Sequence, residues 1–327
     1  MIKFITFGET MVQYNARFPG PYREGCEYLE DCAGAESNVA MDLGKLGLPG
    51  VETTWISRLG DDEAGRLILG ELAGKTTAYA PMYTGESTGL SYLNHHEDGE
   101  HVKTYRRKGS AASRLTFEEV RPHLDECDLL HVTGITPALS EACRDTIFEA
   151  LRHADSADIP VSFDLNFRPQ LWDPHDARLV FEDMLELSSI FKLGYDEAEA
   201  VWAKGWTPEE YARHFQSRNG GLVVMTLGSG GALACDGTNV VSQAGFEVDV
   251  VDPIGAGDAF VAGFLGGILR KMAPSEFLAL AADVRRPFLE ESLQIANVCG
   301  ALTCTRLGDT AAMPTMKEAG EFLSGRS

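Results

Sequence analysis

The segment Val248-Asp249-Val250-Val251-Asp252-Pro253-Ile254-Gly255-Ala256-Gly257-Asp258-Ala259-Phe260 joins a β-branched run, a glycine-rich turn, an acid and an apolar stretch. The β-branched run predicts a strand ending near Val251, and the continuation Val261-Ala262-Gly263-Phe264-Leu265 predicts an apolar helix beginning near Asp258. Gly255 and Gly257 let the backbone turn tightly and approach a ligand. A helix start adds free N–H groups and the positive end of the helix dipole, a combination that suits phosphate. Asp258 then has two readings. It can cap the helix, since Asp is a preferred capping residue. Alternatively, its carboxylate can accept the proton of an incoming hydroxyl while the amides steady a transferring phosphoryl group. The residues of this segment leave both open.

Two arginine-bearing segments offer a second kind of chemistry. One is Tyr105-Arg106-Arg107-Lys108-Gly109-Ser110-Ala111-Ala112-Ser113, and the other is Phe163-Asp164-Leu165-Asn166-Phe167-Arg168-Pro169-Gln170-Leu171-Trp172, at the end of a buried run. Strand ends are where α/β proteins bind ligands, and a guanidinium there can grip a carboxylate in a two-point fork. The plainer reading of Arg168 is an ion pair with a surface acid. Asp164 and Asn166 either line the same pocket or brace the strand end. A glycine-rich stretch, Thr226-Leu227-Gly228-Ser229-Gly230-Gly231-Ala232, follows another buried run, and by itself such a stretch is often only a turn.

The elements that must position these residues can be read from the hydrophobic pattern. Leu129-Leu130-His131-Val132, Ile159-Pro160-Val161-Ser162-Phe163-Asp164, Ser189-Ile190-Phe191-Lys192 and Leu222-Val223-Val224-Met225-Thr226 are buried-strand runs separated by helix-length segments. That alternation predicts βαβ units, hence an α/β fold with a mostly parallel sheet and helices on both faces. Residues 9–35 and 81–111 break the pattern, alternating like strands without a convincing helix. They predict a small β-sheet lid beside an α/β body formed by 1–8, 36–80 and 112–327. The stretch Ser91 to Tyr105 reads as a hairpin with its turn near Asp98-Gly99. A lid of this kind excludes water from a reaction, and its exposed edge, commonly covered by a partner, raises a homodimer through the lid as an expectation.

Charge narrows the partners. Lys and Arg number 28 against 49 Asp and Glu, a formal net charge of -21 that repels nucleic acid and anionic membrane. An anionic ligand therefore needs a local basic pocket. No window of about 18 uncharged apolar residues could span a bilayer, and the start Met1-Ile2-Lys3-Phe4-Ile5-Thr6-Phe7-Gly8 reads as a strand and turn rather than a signal peptide, which points to the cytoplasm. The seven cysteines (Cys26, Cys32, Cys127, Cys143, Cys235, Cys299, Cys304) are scattered, without metal spacing, and read as reduced thiols. Cys299 and Cys304 fall in an apolar helical stretch, where a small buried residue is the expected role.

Asp252-Pro253-Ile254-Gly255-Ala256-Gly257-Asp258-Ala259-Phe260 resembles the C-terminal signature of the ribokinase-like (PfkB) carbohydrate kinases. Ala33-Gly34-Ala35-Glu36-Ser37-Asn38-Val39-Ala40 resembles their N-terminal signature, and Gly47 and Ser57-Arg58-Leu59-Gly60-Asp61-Asp62-Glu63-Ala64-Gly65 continue it in order. The resemblance spans essentially the whole chain and implies a ribokinase-like three-layer fold. It makes Asp258 the catalytic base, Gly255, Ala256 and Gly257 the anion hole, and Gly34, Ala35 and Asn38 part of the substrate site. Thr226, Gly228, Ser229 and Gly230 resemble the family's nucleotide loop. The late helix Leu293 to Thr305 resembles the part that flanks adenine, implicating Asn297, Ala301 and Cys304. ATP and Mg²⁺ are the implied cofactors. The family's Asn-x-x-Glu motif reads Gly194-Tyr195-Asp196-Glu197 here, so Glu197 is expected to reach Mg²⁺ through water, with an exposed helix position as its plainer role. Asp252 resembles the family's monovalent-cation residue, for an ion such as K⁺.

Within the family, both arginine segments and His131-Val132-Thr133-Gly134-Ile135-Thr136-Pro137-Ala138-Leu139-Ser140 are similar to the 2-keto-3-deoxygluconate kinases, which phosphorylate the terminal hydroxyl of a sugar acid. Aligned on Lys108-Gly109-Ser110-Ala111, the lid pair of those enzymes falls on Tyr105 and Arg107, which share one strand face by period two. Arg168 matches their second arginine. Arg106 then faces away, where those enzymes carry a second Tyr, and Ser91 stands where they place a Tyr against substrate. These departures leave room for another keto-deoxy acid, or for a neutral sugar such as fructose or ribose. An idle sugar-acid or nucleotide sensor is the reading from another class, mildly favoured by Gly194 and opposed by the intact Asp258 turn.

Overall fold

The structure, a computed structural model, describes residues 1–20, 24–95 and 101–325. Among these, nine strands form the central sheet in the spatial order Val240–Gln243, Ala232–Cys235, Leu222–Thr226, Ile190–Gly194, Val161–Asp164, Leu129–Thr133, Ile2–Phe7, Val51–Ile56 and Thr77–Tyr79. Every pair from Leu222–Thr226 onward in that order is parallel, and the two strands before it join antiparallel. The four runs found in the sequence are all in this sheet, and they are mostly apolar because both faces are covered. Alternation sends Phe4, Trp55 and Val224 to one layer, with Phe264, and Phe7, Phe163 and Phe191 to the other, with Phe181 and Phe215. The α/β expectation of three layers holds.

One helix, Ala256–Leu269, is buried on every side from Ala259 to Leu269, as its uniformly apolar sequence requires. Gly263 and Gly267 let it lie against the long helix Ala282–Cys304. A Cβ at Gly263 would fall 2.9 Å from Ala296 Cα, and one at Gly267 would fall 2.8 Å from Ser292 Cα. The pair clamps the turn that carries Asp258.

A second sheet of four strands, in the order Tyr28–Ala33, Met11–Pro19, Leu90–His95 and His101–Arg106, lies beside the body. Its strands come from the two stretches that lacked helices. Met82–Tyr83 departs from that expectation and pairs with Leu59–Gly60 instead. Leu90–His95 and His101–Arg106 form an antiparallel pair, and the turn expected at Asp98-Gly99 lies outside the described residues.

Three expectations near Asp258 need correction. Residues 248–251 form no strand; Val250 and Val251 are exposed, and the amides of Val251 and Asp252 both donate to the Cys304 carbonyl. The β-branched run meets no neighbouring strand, so its propensity goes unused. The helix begins at Ala256 rather than near Asp258. The late helix begins at Ala282 rather than Leu293, running through Pro287 within its second turn.

Candidate active site

The chain leaves the strand Ile2–Phe7 toward Val51–Ile56 on one side and reaches Leu129–Thr133 on the other, so the winding direction reverses between those neighbours. Ligands of open α/β sheets bind beyond the C-terminal strand ends at such a reversal. An open cleft of about 520 Å³, counting space shared with solvent, lies there. It brings together Gly34, Ala35, Asn38, Tyr105, Arg107, Arg168, Gly255 and Asp258 from the sequence reading, with Glu9, Met11, Ala33, Lys103, Ile135 and Ile254.

Asp258 is the third residue of its helix, after a Gly255 cap held at φ 79°, a left-handed conformation that glycine adopts without strain. It is therefore not the cap. Its carboxylate Oδ2 accepts a 2.8 Å hydrogen bond from Asn38 Nδ2. The pKa of Asp258 rises to about 6. Burial is the main cause, Asp164 pushes the same way, and Asn38, Arg168 and Lys192 pull it down. A carboxylate tuned upward is suited to taking a proton near neutral pH.

Asn38 is placed by the start of the helix Ala35–Leu46. A Cβ on Gly34 would meet Thr10 Oγ1, the Glu9 carbonyl and Ser37 Oγ at 2.6 to 2.8 Å, so only glycine fits. In the same first turn, the buried Glu36 carboxylate accepts from Thr133 Oγ1 at 2.7 Å and Thr136 Oγ1 at 2.6 Å. Those bonds tie the helix start to the strand end Leu129–Thr133. His131, in the same strand, is buried against Phe4 and burial lowers its pKa to about 3, so it stays neutral and outside the cleft.

The lid supplies the opposite wall. Lys103, Tyr105 and Arg107 alternate into the cleft, while Arg106 turns away over the Tyr92 ring at 5.6 Å. Arg107 Nε donates to the buried Glu9 Oε2 at 2.6 Å, and Ser110 Oγ donates to Glu9 Oε1. Glu9 thus fixes the guanidinium by one edge. Arg168 is exposed at the rim and has no ion pair among the described residues. Ser91 is buried directly across the ladder from Tyr105, and its hydroxyl has no hydrogen-bond partner among the described residues.

Asp164 and Asn166 brace the strand end. Asp164 Oδ1 lies 3.0 Å from Lys192 Nζ on the adjacent strand, and Asn166 turns the chain at φ 39°, a left-handed conformation that Asn tolerates. Glu197 is not an exposed helix residue: its Oε1 accepts from Phe167 N and its Oε2 from Gly194 N, both at 2.7 Å. Asp252 Oδ1 accepts from Ile254 N at 3.0 Å, shaping the loop before Gly255.

Thr226 ends its strand beside Gly194, and the turn Gly228–Gly230 beyond it is exposed. Gly231 at φ 96° has Gln243 O only 2.1 Å from where a Cβ would sit, so this turn is built around glycine. Asn297 Nδ2 donates to Gln243 O and Ala244 O, both at 3.1 Å, spending its donors on the backbone beside the turn. Ala301 and Cys304 are partly buried on the helix end that receives Val251 and Asp252, so of the two cysteines only Cys299 is fully buried. No group of three or more His, Cys, Asp or Glu able to hold a metal occurs among the described residues.

Three charged residues near the cleft have no counterpart among the sequence-derived candidates. Lys103 shares the period-two face of Tyr105 and Arg107, which was signal enough. Lys192 is a cation within the apolar run Ile190-Phe191-Lys192-Leu193, an anomaly that marks a paired or functional charge. Glu9 follows the first strand with no local signal.

The chain matches the family model described as pfkB family carbohydrate kinase over residues 1–316. It is 34% identical over 329 residues to a 2-dehydro-3-deoxygluconokinase of Bacillus subtilis, covering 98% of this chain and 95% of that one. It is 34% identical over 277 residues to a 2-dehydro-3-deoxygalactonokinase of Haloferax volcanii, covering 82% and 84% respectively. A crystal structure of a PfkB protein from Polaromonas superposes with a TM-score of 0.83 at 29% identity, over 98% of this chain and 99% of that one.

Proposed function

This chain belongs to the pfkB family of carbohydrate kinases, and from that premise we propose that it phosphorylates the terminal hydroxyl of a sugar acid, foremost 2-keto-3-deoxygluconate, using ATP. One observation carries the substrate class: in a protein of net charge -21, the cleft of Asp258 gathers the cations Lys103, Arg107 and Arg168 against the acids Glu9 and Asp258. A neutral sugar gives such a cluster no counter-charge. A carboxylate does, and the fork of Arg107 or Arg168 matches it.

In this reading the sugar acid lies under the lid against Gly34, Ala35 and Tyr105, with its carboxylate toward Arg107 and Arg168. Its terminal hydroxyl approaches Asp258, which takes the proton as the oxygen attacks the γ-phosphorus. The amides of Gly255, Ala256, Gly257 and Asp258 stabilise the charge that develops. Thr226, Gly228, Ser229 and Gly230 contact the nucleotide phosphates and ribose, and Ala301 and Cys304 flank adenine. Glu197 is the residue that would hold Mg²⁺ through water, and the ion would supply charge that shields the phosphates. A monovalent cation such as K⁺ at Asp252 and a homodimer through the open lid edges belong to the same proposal. No helix among the described residues is long and apolar enough to cross a membrane.

The test is an assay of ADP release with Mg-ATP against 2-keto-3-deoxygluconate, 2-keto-3-deoxygalactonate, gluconate, fructose and ribose, repeated with and without K⁺. The expected result is turnover of keto-deoxy acids with kcat/KM well above that for the neutral sugars. A preference for fructose or ribose would overturn the sugar-acid assignment, and silence with every sugar would favour a sensor.

A further inference from the structure

Lys192 lies in the strand Ile190–Gly194 between Phe191 and Leu193, both fully buried. An ammonium here loses hydration at a cost that demands a partner. Asp164, its register neighbour on the adjacent strand, supplies one, with oxygens 3.0 and 3.2 Å from Lys192 Nζ. Burial alone would lower the pKa of Lys192. Asp164, Glu197 and Asp258 outweigh it and raise the value, so the side chain stays charged.

That pairing leaves Lys192 hydrogen-bonding capacity in hand. An ammonium carries three donors, and Asp164 is the one carboxylate within ion-pair distance among the described residues. The side chain also faces the turn that carries Asp258: a Cβ on Gly257 would lie 3.8 Å from Lys192 Nζ, the nearest side-chain atom there. The first-turn amides of a helix have no partners within the helix. Strand order sets Lys192 between the Asp164 strand end and Thr226, on the line from the sugar cleft to the glycine turn.

Resting on the kinase reading above, we propose that Lys192 is a catalytic residue: its ammonium, braced by Asp164, binds the phosphoryl group as it passes from ATP to the sugar acid. In that step the acceptor O–H gives its proton to Asp258 and its oxygen forms a bond to the γ-phosphorus. The bond from the γ-phosphorus to the β–γ bridging oxygen breaks, and its electron pair leaves on ADP. Lys192 exchanges no proton. It supplies a fixed positive charge beside Gly257, where phosphoryl charge collects. Asp164 is a positioning residue that holds this charge at the strand end.

The test compares wild type, Lys192→Met, and the double variant Lys192→Met with Asp164→Asn, which removes both charges and avoids a stranded buried carboxylate. Calorimetry measures ATP and ADP affinity without any sugar, and turnover is followed with the best sugar of the panel above. In both variants we expect ADP affinity within twofold of wild type, ATP affinity about tenfold weaker, and kcat lower by about 10²- to 10³-fold. A double variant that keeps native ATP affinity and turns over within threefold of wild type would make the pair purely structural and overturn the proposal. Because the nucleotide measurements need no sugar, a wild-type chain that rejects every sugar acid defeats the substrate assignment while Lys192 is still tested.

Discussion

Asn38 and Asp258 stand 220 residues apart in the chain, and their side chains meet at 2.8 Å in the floor of the cleft. The bond joins the first turn of the helix Ala35–Leu46 to the first turn of Ala256–Leu269, two helix starts converging on one carboxylate. Because Asn38 donates to the ionised form, it lowers a pKa that burial raises. Asn38→Ala should therefore move the acid limb of the kcat/KM profile to higher pH. A hydrogen bond to a charged group predicts a loss of about tenfold at pH 6, with a smaller loss at pH 8. An equal loss at both values would assign Asn38 to substrate contact alone.

Asp258 itself should set that acid limb. With its pKa raised to about 6, turnover should climb between pH 5 and 7 as the base ionises. Asp258→Asn should keep ATP binding and lose about 10³-fold or more in kcat. Stability should move the other way. Between the unfolded value of 3.8 and the folded value near 6 the folded state binds the proton more tightly, so this group's contribution is full below that window and lost as pH rises through it. At pH 7.5 the Asn variant should be more stable than wild type by about 1–3 kcal/mol, and the advantage should vanish near pH 4. Thermal unfolding at the two pH values reads the difference directly.

The Arg107 guanidinium is fixed by Glu9 through Nε, which leaves its terminal nitrogens for a ligand. Arg107→Met should raise KM for a keto-deoxy acid by about 10- to 100-fold and leave KM for ATP unchanged, the signature of a lost carboxylate contact. Glu9→Gln keeps the shape but weakens the clasp, and a smaller rise in the same KM is expected. If both variants instead lowered kcat with KM unchanged, the pair would be closing the lid rather than holding substrate.

The fold was legible because buried parallel strands leave continuous apolar runs, as in Leu222–Thr226, and the cleft because its parts sit at turns with glycine signatures. What was illegible depended on partners distant in sequence. Val248-Asp249-Val250-Val251 has strand composition, yet no neighbouring strand is offered and two of its valines stay exposed. Glu9 gains meaning only when the lid brings Arg107 and Ser110 to it from about a hundred residues away. Asp164 could not be told from a cleft residue until Lys192 appeared across the ladder. Glu197 looked like one acid among many, and its role depends on the Phe167 amide from another strand end.

Gly194 offers the sharpest test of a departure from the family pattern. Its backbone is an ordinary extended φ of -83°, so glycine is not required there by conformation. A Cβ would approach Glu197 Oε2 at 3.1 Å and Thr226 Oγ1 at 3.6 Å, contacts that side-chain adjustment can relieve. Asn is moreover a favoured helix cap, where replacing Gly changes stability by only a few tenths of a kcal/mol. Gly194→Asn should therefore fold as wild type does, with unfolding temperature unchanged within a degree or two. It would restore an amide oxygen beside Glu197, where the phosphates and their Mg²⁺ are proposed to lie. The half-saturating Mg²⁺ concentration in the kinase assay should fall severalfold, with KM for the sugar acid unaltered. An unchanged Mg²⁺ requirement in a well-folded variant would show that this chain handles its metal through phosphate and water, with no place left for a side chain at 194.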